Sequence, residues 1–268
     1  MPVPLSPSDL SSLAATLRAA GCVFAEDEAG LIAATAADPA EVAAMAARRA
    51  AGHPLEHVLG WAEFAGLRIA VDPGVFVPRR RTEFLVDRAV ALAPDPAVVV
   101  DLCCGSGALG AALAAALDRV ELHAADVEPA AVRCARRNIG DRGRVYAGDL
   151  FAPLPGALRG RVDVLLANVP YVPSGDVALL PAEARVHEPL VALDGGGDGL
   201  DVLRRVAAEA PRWLAPGGSL LVETSERQAD TAAGVLADSG LVTRVDSCEE
   251  RYATVLTGTL PARRARTA

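Results

Sequence analysis

The residues of this chain best suited to chemistry are acids and one carboxamide, each set at or near the end of a short expected strand. Asp101 follows Val98-Val99-Val100, Asp126 ends the run from Val120 to Ala125, Asp149 follows a run around Val145, and Asn168 follows Val162 to Ala167. Open α/β sheets bind ligands beyond the carboxyl ends of their strands, so such residues can converge on one crevice. Between the first two lies Cys103-Cys104-Gly105-Ser106-Gly107, whose glycines allow a strand-to-helix turn to bring backbone amides against a ligand. Asp126, at the end of the next strand, is placed to bind ribose hydroxyls. The strand ends and the turn thus offer Asp101, Cys103, Cys104, Gly105, Ser106, Gly107, Asp126 and Asp149 as candidate cofactor residues.

Gly105-x-Gly107-x-x-Gly110 also matches the dinucleotide fingerprint, which keeps an NAD-dependent dehydrogenase in view. Asp101 would repel a pyrophosphate but can pair with an ammonium, and Asp149 adds a further acid. An amino-acid-bearing nucleoside, of which S-adenosylmethionine is one, suits that acidic ring better. Asn168-Val169-Pro170-Tyr171 presents a carboxamide, a fixed carbonyl and an aromatic ring together, with Pro170 stopping the strand ladder. The same residue types also make an ordinary turn.

Composition removes several reaction classes. All basic residues are arginine, so P-loop phosphate binding, protein-kinase chemistry and Schiff-base chemistry lack their lysine. A formal net charge of −8 disfavours a general nucleic-acid binder. Arg79-Arg80-Arg81 and the group from Arg133 to Arg144 are the local exceptions; they suit an RNA-rich partner or, more simply, a solvated face. Five cysteines, with Cys103 and Cys104 adjacent, form no Cys-x-x-Cys pair and are expected to be reduced. His53-Pro54-Leu55-Glu56-His57 fits a zinc-peptidase pattern, but Pro54 suits only a first helical turn and no third ligand follows, so no metal is expected. The amino terminus lacks a basic flank and apolar core, and no apolar run approaches bilayer length, so a cytoplasmic protein is expected.

These residues must be positioned by alternating strands and helices. Strands are expected near 98–102, 120–126, 145–149, 162–167 and 219–224, with helices at 108–117, 129–138, 200–214 and 228–239 between them. Two last strands, near 241–246 and 252–257, have no helix between them. That pattern predicts a doubly wound, mostly parallel seven-stranded sheet with one antiparallel edge strand. Residues 1–60 are alanine-rich with helical spacing and read as a small recognition domain, with Ser8 and Asp38 as candidate N-caps. Residues 61–79 alternate around Asp72-Pro73-Gly74 and read as a connecting β-hairpin. The main domain is expected over 80–260, opening with a helix to Leu92 that Thr82 could cap, and 261–268 as a disordered tail.

In sequence order, Asp101-Leu-Cys-Cys-Gly-Ser-Gly, Asp126, Asp149 and Asn168-Val-Pro-Tyr resemble the class I S-adenosylmethionine-dependent methyltransferases that carry an Asn-Pro-Pro-Tyr motif. The chain is similar to one branch in particular, the protein-(glutamine-N5) methyltransferases that act on the Gly-Gly-Gln loop of peptide chain release factors. Pro54 to Gly60, Phe76 to Glu83, Glu188 to Gly199, Pro216-Gly-Gly218 and Glu223 carry that similarity over about residues 49–257. The resemblance implies S-adenosyl-L-methionine as cofactor, left as S-adenosyl-L-homocysteine, with Leu150 and Asn168 added to the cofactor residues above, and a protein partner bearing an exposed glutamine; charge and the lack of long apolar runs speak against direct nucleic-acid binding and a membrane. It implies that Asn168 Oδ1 and the Val169 carbonyl accept the two amide N–H bonds, with Pro170 and Tyr171 completing the catalytic set. Two departures stand out. Valine replaces the first proline of the motif, keeping the carbonyl but loosening the loop, and Cys103-Cys104 replaces Gly-Thr, adding a side chain beside the expected cofactor methionine. They point to a relative of the release-factor enzyme rather than that enzyme itself. A base or ribosomal RNA methyltransferase shares the asparagine motif and is the nearest alternative, followed by the dehydrogenase and a non-catalytic nucleotide-binding protein.

Overall fold

A computed structural model describes residues 5–262, so most of the expected tail, residues 263–268, lies outside the described part of the chain. The amino-terminal unit contains α1 (Pro7–Ala19), α2 (Ala25–Thr35), α3 (Pro39–Ala50) and α4 (Leu55–Leu59). Asp38 caps α3 as expected, its Oδ1 accepting from Glu41 N at 2.8 Å. The cap of α1 is Ser6 rather than Ser8: Pro7 takes the first helical position, where its missing N–H costs nothing, and Ser6 Oγ accepts from Asp9 N at 3.2 Å. Leu13, Leu17, Ile32 and Met45 face inward and give this unit its own core.

A short antiparallel hairpin follows, β1 (Trp61–Phe64) and β2 (Leu67–Ala70). Its turn is Ala65-Gly66 and not the expected Asp72-Pro73-Gly74. Both turn residues have positive φ, 48° and 72°, as a two-residue hairpin turn matched to strand twist requires. Alanine is an unusual occupant of that conformation, and the stronger Pro-Gly signal seven residues on disguised it.

The main sheet contains β3 (Ala97–Leu102), β4 (Val120–Asp126), β5 (Gly143–Ala147), β6 (Val162–Ala167), β7 (Leu214–Thr224), β8 (Val242–Cys248) and β9 (Ala253–Thr259), in the order β5-β4-β3-β6-β7-β9-β8. All pairings through β7 are parallel. The antiparallel strand of the helix-free pair, β9, lies at that end of the sheet, inserted between β7 and β8. Helices α5 (Glu83–Leu92), α6 (Ala108–Ala116), α7 (Pro129–Ile139), α9 (Asp201–Trp213) and α10 (Ala229–Asp238) cover the two faces, while the short α8 (Ala182–His187) stands apart on the connection after β6. Amphipathic spacing explains their seating: α9 buries Leu203, Val206, Ala207, Ala210 and Trp213, the i, i+3, i+4 stripe of a surface helix. Thr82 does not cap α5. It ends a 3₁₀ turn, Arg80–Thr82, and its hydroxyl turns inward.

Strand order reverses between β3 and β6, and ligands collect at such a switch point. Leu102 is in register with Ala167 on one side and with Ala125 on the other. The three residues that follow these positions, Asn168, Cys103 and Asp126, are therefore brought to neighbouring strand ends.

Candidate active site

At those strand ends is a cavity of about 460 Å³ whose wall includes Cys103 to Ser106, Asp126, Asp149, Leu150 and Asn168 to Tyr171. Its two halves are built differently. In the first, the turn after β3 needs left-handed backbone at Cys103, Gly105 and Gly107, with φ of 52°, 54° and 77°. A Cβ on Gly107 would come within 3.0 Å of Ala135, whereas one on Gly105 would meet nothing within 4 Å, so the Gly105 position is open. Asp126 fastens the turn: its Oδ2 accepts from Gly105 N at 2.8 Å and its Oδ1 from Glu128 N at 2.9 Å. Burial raises the Asp126 carboxyl above its usual value, and these N–H groups hold it back.

Asp101 sits behind the turn, fully buried. Its Oδ2 accepts from Gly110 N at 3.0 Å, and its Oδ1 has no partner. Burial pushes this carboxyl up to about 7, with the Gly110 N–H opposing and Asp126 adding to the shift. Asp149 is about half exposed at the rim and pairs with Arg205 at 2.5 Å. The Cys103 and Cys104 thiols are pushed well up by burial and by the surrounding carboxylates, which suits packing and not nucleophilic attack. A donor-bearing nucleoside fits this half: Asp126 oxygens keep lone pairs for hydroxyls, and the unpartnered Asp101 oxygen favours a cation nearby.

The second half is the loop after β6. Asn168 is partly exposed on the cavity wall, Val169 and Pro170 are buried, and Tyr171 is half-buried. Long-range contacts fix it. Tyr171 Oη accepts from Arg81 Nη2 at 2.8 Å and donates to Glu223 Oε1 at 3.0 Å. Glu223, itself buried, also accepts from Arg81 Nε at 2.9 Å and from Thr82 Oγ1 at 2.6 Å. Burial, with the Glu223 carboxylate alongside, pushes the Tyr171 phenol up to about 12, so it stays a protonated wall of the site. Gln228 Nε2 donates to the Tyr171 and Asp198 carbonyls, both at 2.9 Å. Gly195 and Gly199 pack on the back of the loop: a Cβ on Gly195 would lie 2.7 Å from the Pro170 oxygen, and one on Gly199 would collide with the Tyr171 carbonyl. Arg79 donates through Nη2 to both oxygens of buried Glu188, at 2.6 and 2.7 Å, which joins the segment after the hairpin to the one before the glycines.

The sequence alone offers Thr82 as a helix cap and Arg79 and Arg81 as part of a basic run, and Glu188 and Glu223 only within family-like segments; none is expected to hold the asparagine loop. The structure makes them the frame of the asparagine loop. Gln228, Arg205 and Asn138 carried no signal at all. The Asn138 carboxamide accepts from Ala70 N and donates to the Ala70 and Ser106 carbonyls, all at 2.8 Å, tying the hairpin to the glycine turn. His57 is buried and bonds the Val75 carbonyl at 2.8 Å, and the His53 ring packs tilted against His187 with centroids 4.2 Å apart. The two imidazoles of the peptidase-like pattern are thus engaged elsewhere in packing and backbone contacts.

Comparison with known proteins agrees with this arrangement. Residues 66–200 match the methyltransferase small domain family. The chain is 41% identical over 209 residues to the release factor glutamine methyltransferase of Geobacter sulfurreducens, covering 76% of this chain and 72% of that one. It is 41% identical over 233 residues to the Mycolicibacterium smegmatis protein of the same name, covering 80% and 82%. Among solved structures, a methyltransferase from Pyrococcus furiosus superposes with a TM-score of 0.55 at 17% identity, over 73% of this chain and 90% of that one, which shows the shared fold. With two relatives of this similarity matched over most of their length, and the glycine turn, Asp126 and Asn168 gathered at one switch point, the chain belongs to the release factor glutamine methyltransferase family.

Proposed function

We propose that this enzyme methylates the side-chain amide nitrogen of a glutamine in a peptide chain release factor, using S-adenosyl-L-methionine. The observation that carries the reading is the placement of Asn168 and the Val169 backbone on the wall of the same cavity as Asp126 and the glycine turn. Asp126, Asp149, Leu150 and the Cys103 to Gly107 backbone would hold the donor, with Asp101 supplying negative potential from behind when its carboxyl is ionised. When bound there, S-adenosylmethionine supplies a methyl group made electrophilic by its sulfonium sulfur.

The task left to the protein is set by the acceptor. An amide nitrogen is a weak nucleophile because its lone pair is delocalised into the carbonyl. Asn168 Oδ1 and the Val169 carbonyl oxygen accept its two N–H bonds, fixing the plane of the amide and aiming the nitrogen. Both acceptors are preorganised, since the loop is held by Arg81, Glu223, Gln228 and the close-packed glycines. They stabilise the positive charge that develops on nitrogen as the N–C bond forms and the methyl–sulfur bond breaks, leaving S-adenosyl-L-homocysteine and a nitrogen whose surplus proton passes to solvent. The Tyr171 ring flanks the acceptor side chain, and its hydroxyl is committed to Arg81 and Glu223.

A base methyltransferase would use Asn168 in the same way, but Arg79 and Arg81 are paired with Glu188 and Glu223 and are poorly disposed to hold phosphates. Among the described residues no helix is long and apolar enough to cross a membrane. A release-factor acceptor would put the site of action in the cytoplasm. Incubation with methyl-labelled donor and purified release factor, followed by mass spectrometry of the Gly-Gly-Gln peptide, tests the reading. Label on the glutamine supports it, and label only on RNA overturns it.

A further inference from the structure

The connection from Ser174 to Ala192, which carries α8, is partly inverted. Three of its polar side chains turn toward the body, while Ser174, Asp176 and Arg185 stay exposed: Glu183 pairs with Arg49 at 2.5 Å, the His187 ring packs tilted against His53, and Glu188 receives Arg79. Four of its aliphatic side chains turn toward solvent. Leu179, Val186, Leu190 and Val191 are 80%, 62%, 59% and 47% exposed. They make up four of the twelve exposed large apolar side chains among the described residues, gathered within residues 179–191. Scattered apolar residues on a surface need no explanation, but a concentrated group marks a contact face. Four aliphatic side chains left this exposed beside the buried Glu188 and half-buried Glu183 are the arrangement expected of a surface that something covers.

Where the face lies identifies its occupant. Leu180, Pro181, Ala184, Pro189 and Val191, from the same connection, line the cavity that holds Asn168. A polypeptide that delivers a side chain to Asn168 crosses this rim, and its flanking surface comes to rest on the exposed aliphatics. We infer that Leu179, Val186 and Leu190 form a docking face for the folded body of the protein that carries the acceptor glutamine, beyond the few residues that enter the cavity. The inference rests on the reading above, that the acceptor is a glutamine in a protein. The partner surface it fits is apolar and uncharged, adjoining the loop that bears the glutamine. Anchoring by Arg49 and His53 makes the amino-terminal helical unit the support of this face.

The test compares an intact release factor with a short Gly-Gly-Gln peptide as acceptors for the wild type and for a variant carrying Leu179→Ser, Val186→Ser and Leu190→Ser. None of these three side chains lines the cavity, so donor affinity and the peptide reaction serve as controls for folding. The variant is expected to raise KM for the intact factor about tenfold or more, with kcat and all peptide constants unchanged. Equal KM values for the intact factor in the two proteins overturn the docking face. So does a wild type that sediments as a dimer and a variant that sediments as a monomer, because a second copy would then cover the patch. Direct titration of the factor onto both proteins, without turnover, separates the two proposals: a wild type that binds through these residues but transfers nothing refutes the reaction and leaves the docking face standing.

Discussion

The two halves of the cavity are held by contacts of different reach. In the donor half, Gly105 is tied to Asp126 and Gly110 to Asp101, partners on the same or the next strand. In the acceptor half, Tyr171 depends on Arg81 and Glu223, which lie in segments well before and well after it in the chain. A turn closed by neighbours can form whenever its two strands pair. The asparagine loop can take its shape only after the segment following the hairpin, the glycine-rich connection and β7 have all assembled. Donor binding and acceptor positioning should therefore fail separately when mutated.

The largest expected effect is at Asn168. Asn168→Ala should lower methyl transfer by about 10²–10³ or more while the donor's thermal shift stays that of the wild type, as loss of one preorganised polar group does elsewhere. A variant that transfers at full rate, or that loses donor binding in parallel, would erase the distinction between the halves. In the other direction, Asp126→Ala removes the acceptor of two backbone N–H groups and the expected ribose ligand, and should weaken donor binding by ~1–3 kcal/mol in a calorimetric titration. Glu223→Ala strips Arg81, Thr82 and Tyr171 of a common acceptor. It should destabilise the fold by ~1–3 kcal/mol and raise KM for the protein acceptor with donor affinity retained.

Asp101 supplies a pH dependence. Its folded carboxyl, raised to about 7, keeps a proton that the unfolded chain sheds near pH ~4. Its contribution to stability is thus full below that lower value and is withdrawn as pH climbs toward 7. Melting temperatures of the ligand-free protein should fall across this window by more than those of Asp101→Asn; parallel curves would refute the assignment. The smallest effect is at Cys103, a non-glycine residue at φ 52°. Cys103→Gly should relieve left-handed strain and raise stability by about 1 kcal/mol in thermal denaturation, leaving the acceptor half untouched.

The same difference in reach explains what the sequence could disclose. The gathering of Asp126, Asp149 and Asn168 on one cavity wall was legible because each lies at or just beyond the end of a strand, and a doubly wound sheet brings strand ends together without further information. Asp101, expected to pair with a ligand ammonium, lies fully buried with its Oδ2 on Gly110 N, behind the turn and off the cavity wall, because periodicity does not separate the two sides of a turn. The frame of the acceptor half was hidden because nothing in the local pattern pairs Arg81 with Glu223 or Arg79 with Glu188. The same holds for Asn138, whose three hydrogen bonds span the hairpin and the glycine turn. The hairpin turn was misplaced because Ala65 occupies a conformation that glycine or asparagine normally marks.

Trp61 opens the hairpin by packing on the amino-terminal helices, while the inward residues of β1, Ala62 and Phe64, pack among the main-domain side chains. Pleat alternation at a single strand thus draws the boundary between two independent interiors, immediately after Gly60 and its left-handed helix cap. Such a seam lets the helical module diversify, or be exchanged for another, while the body that performs the chemistry keeps its own packing intact.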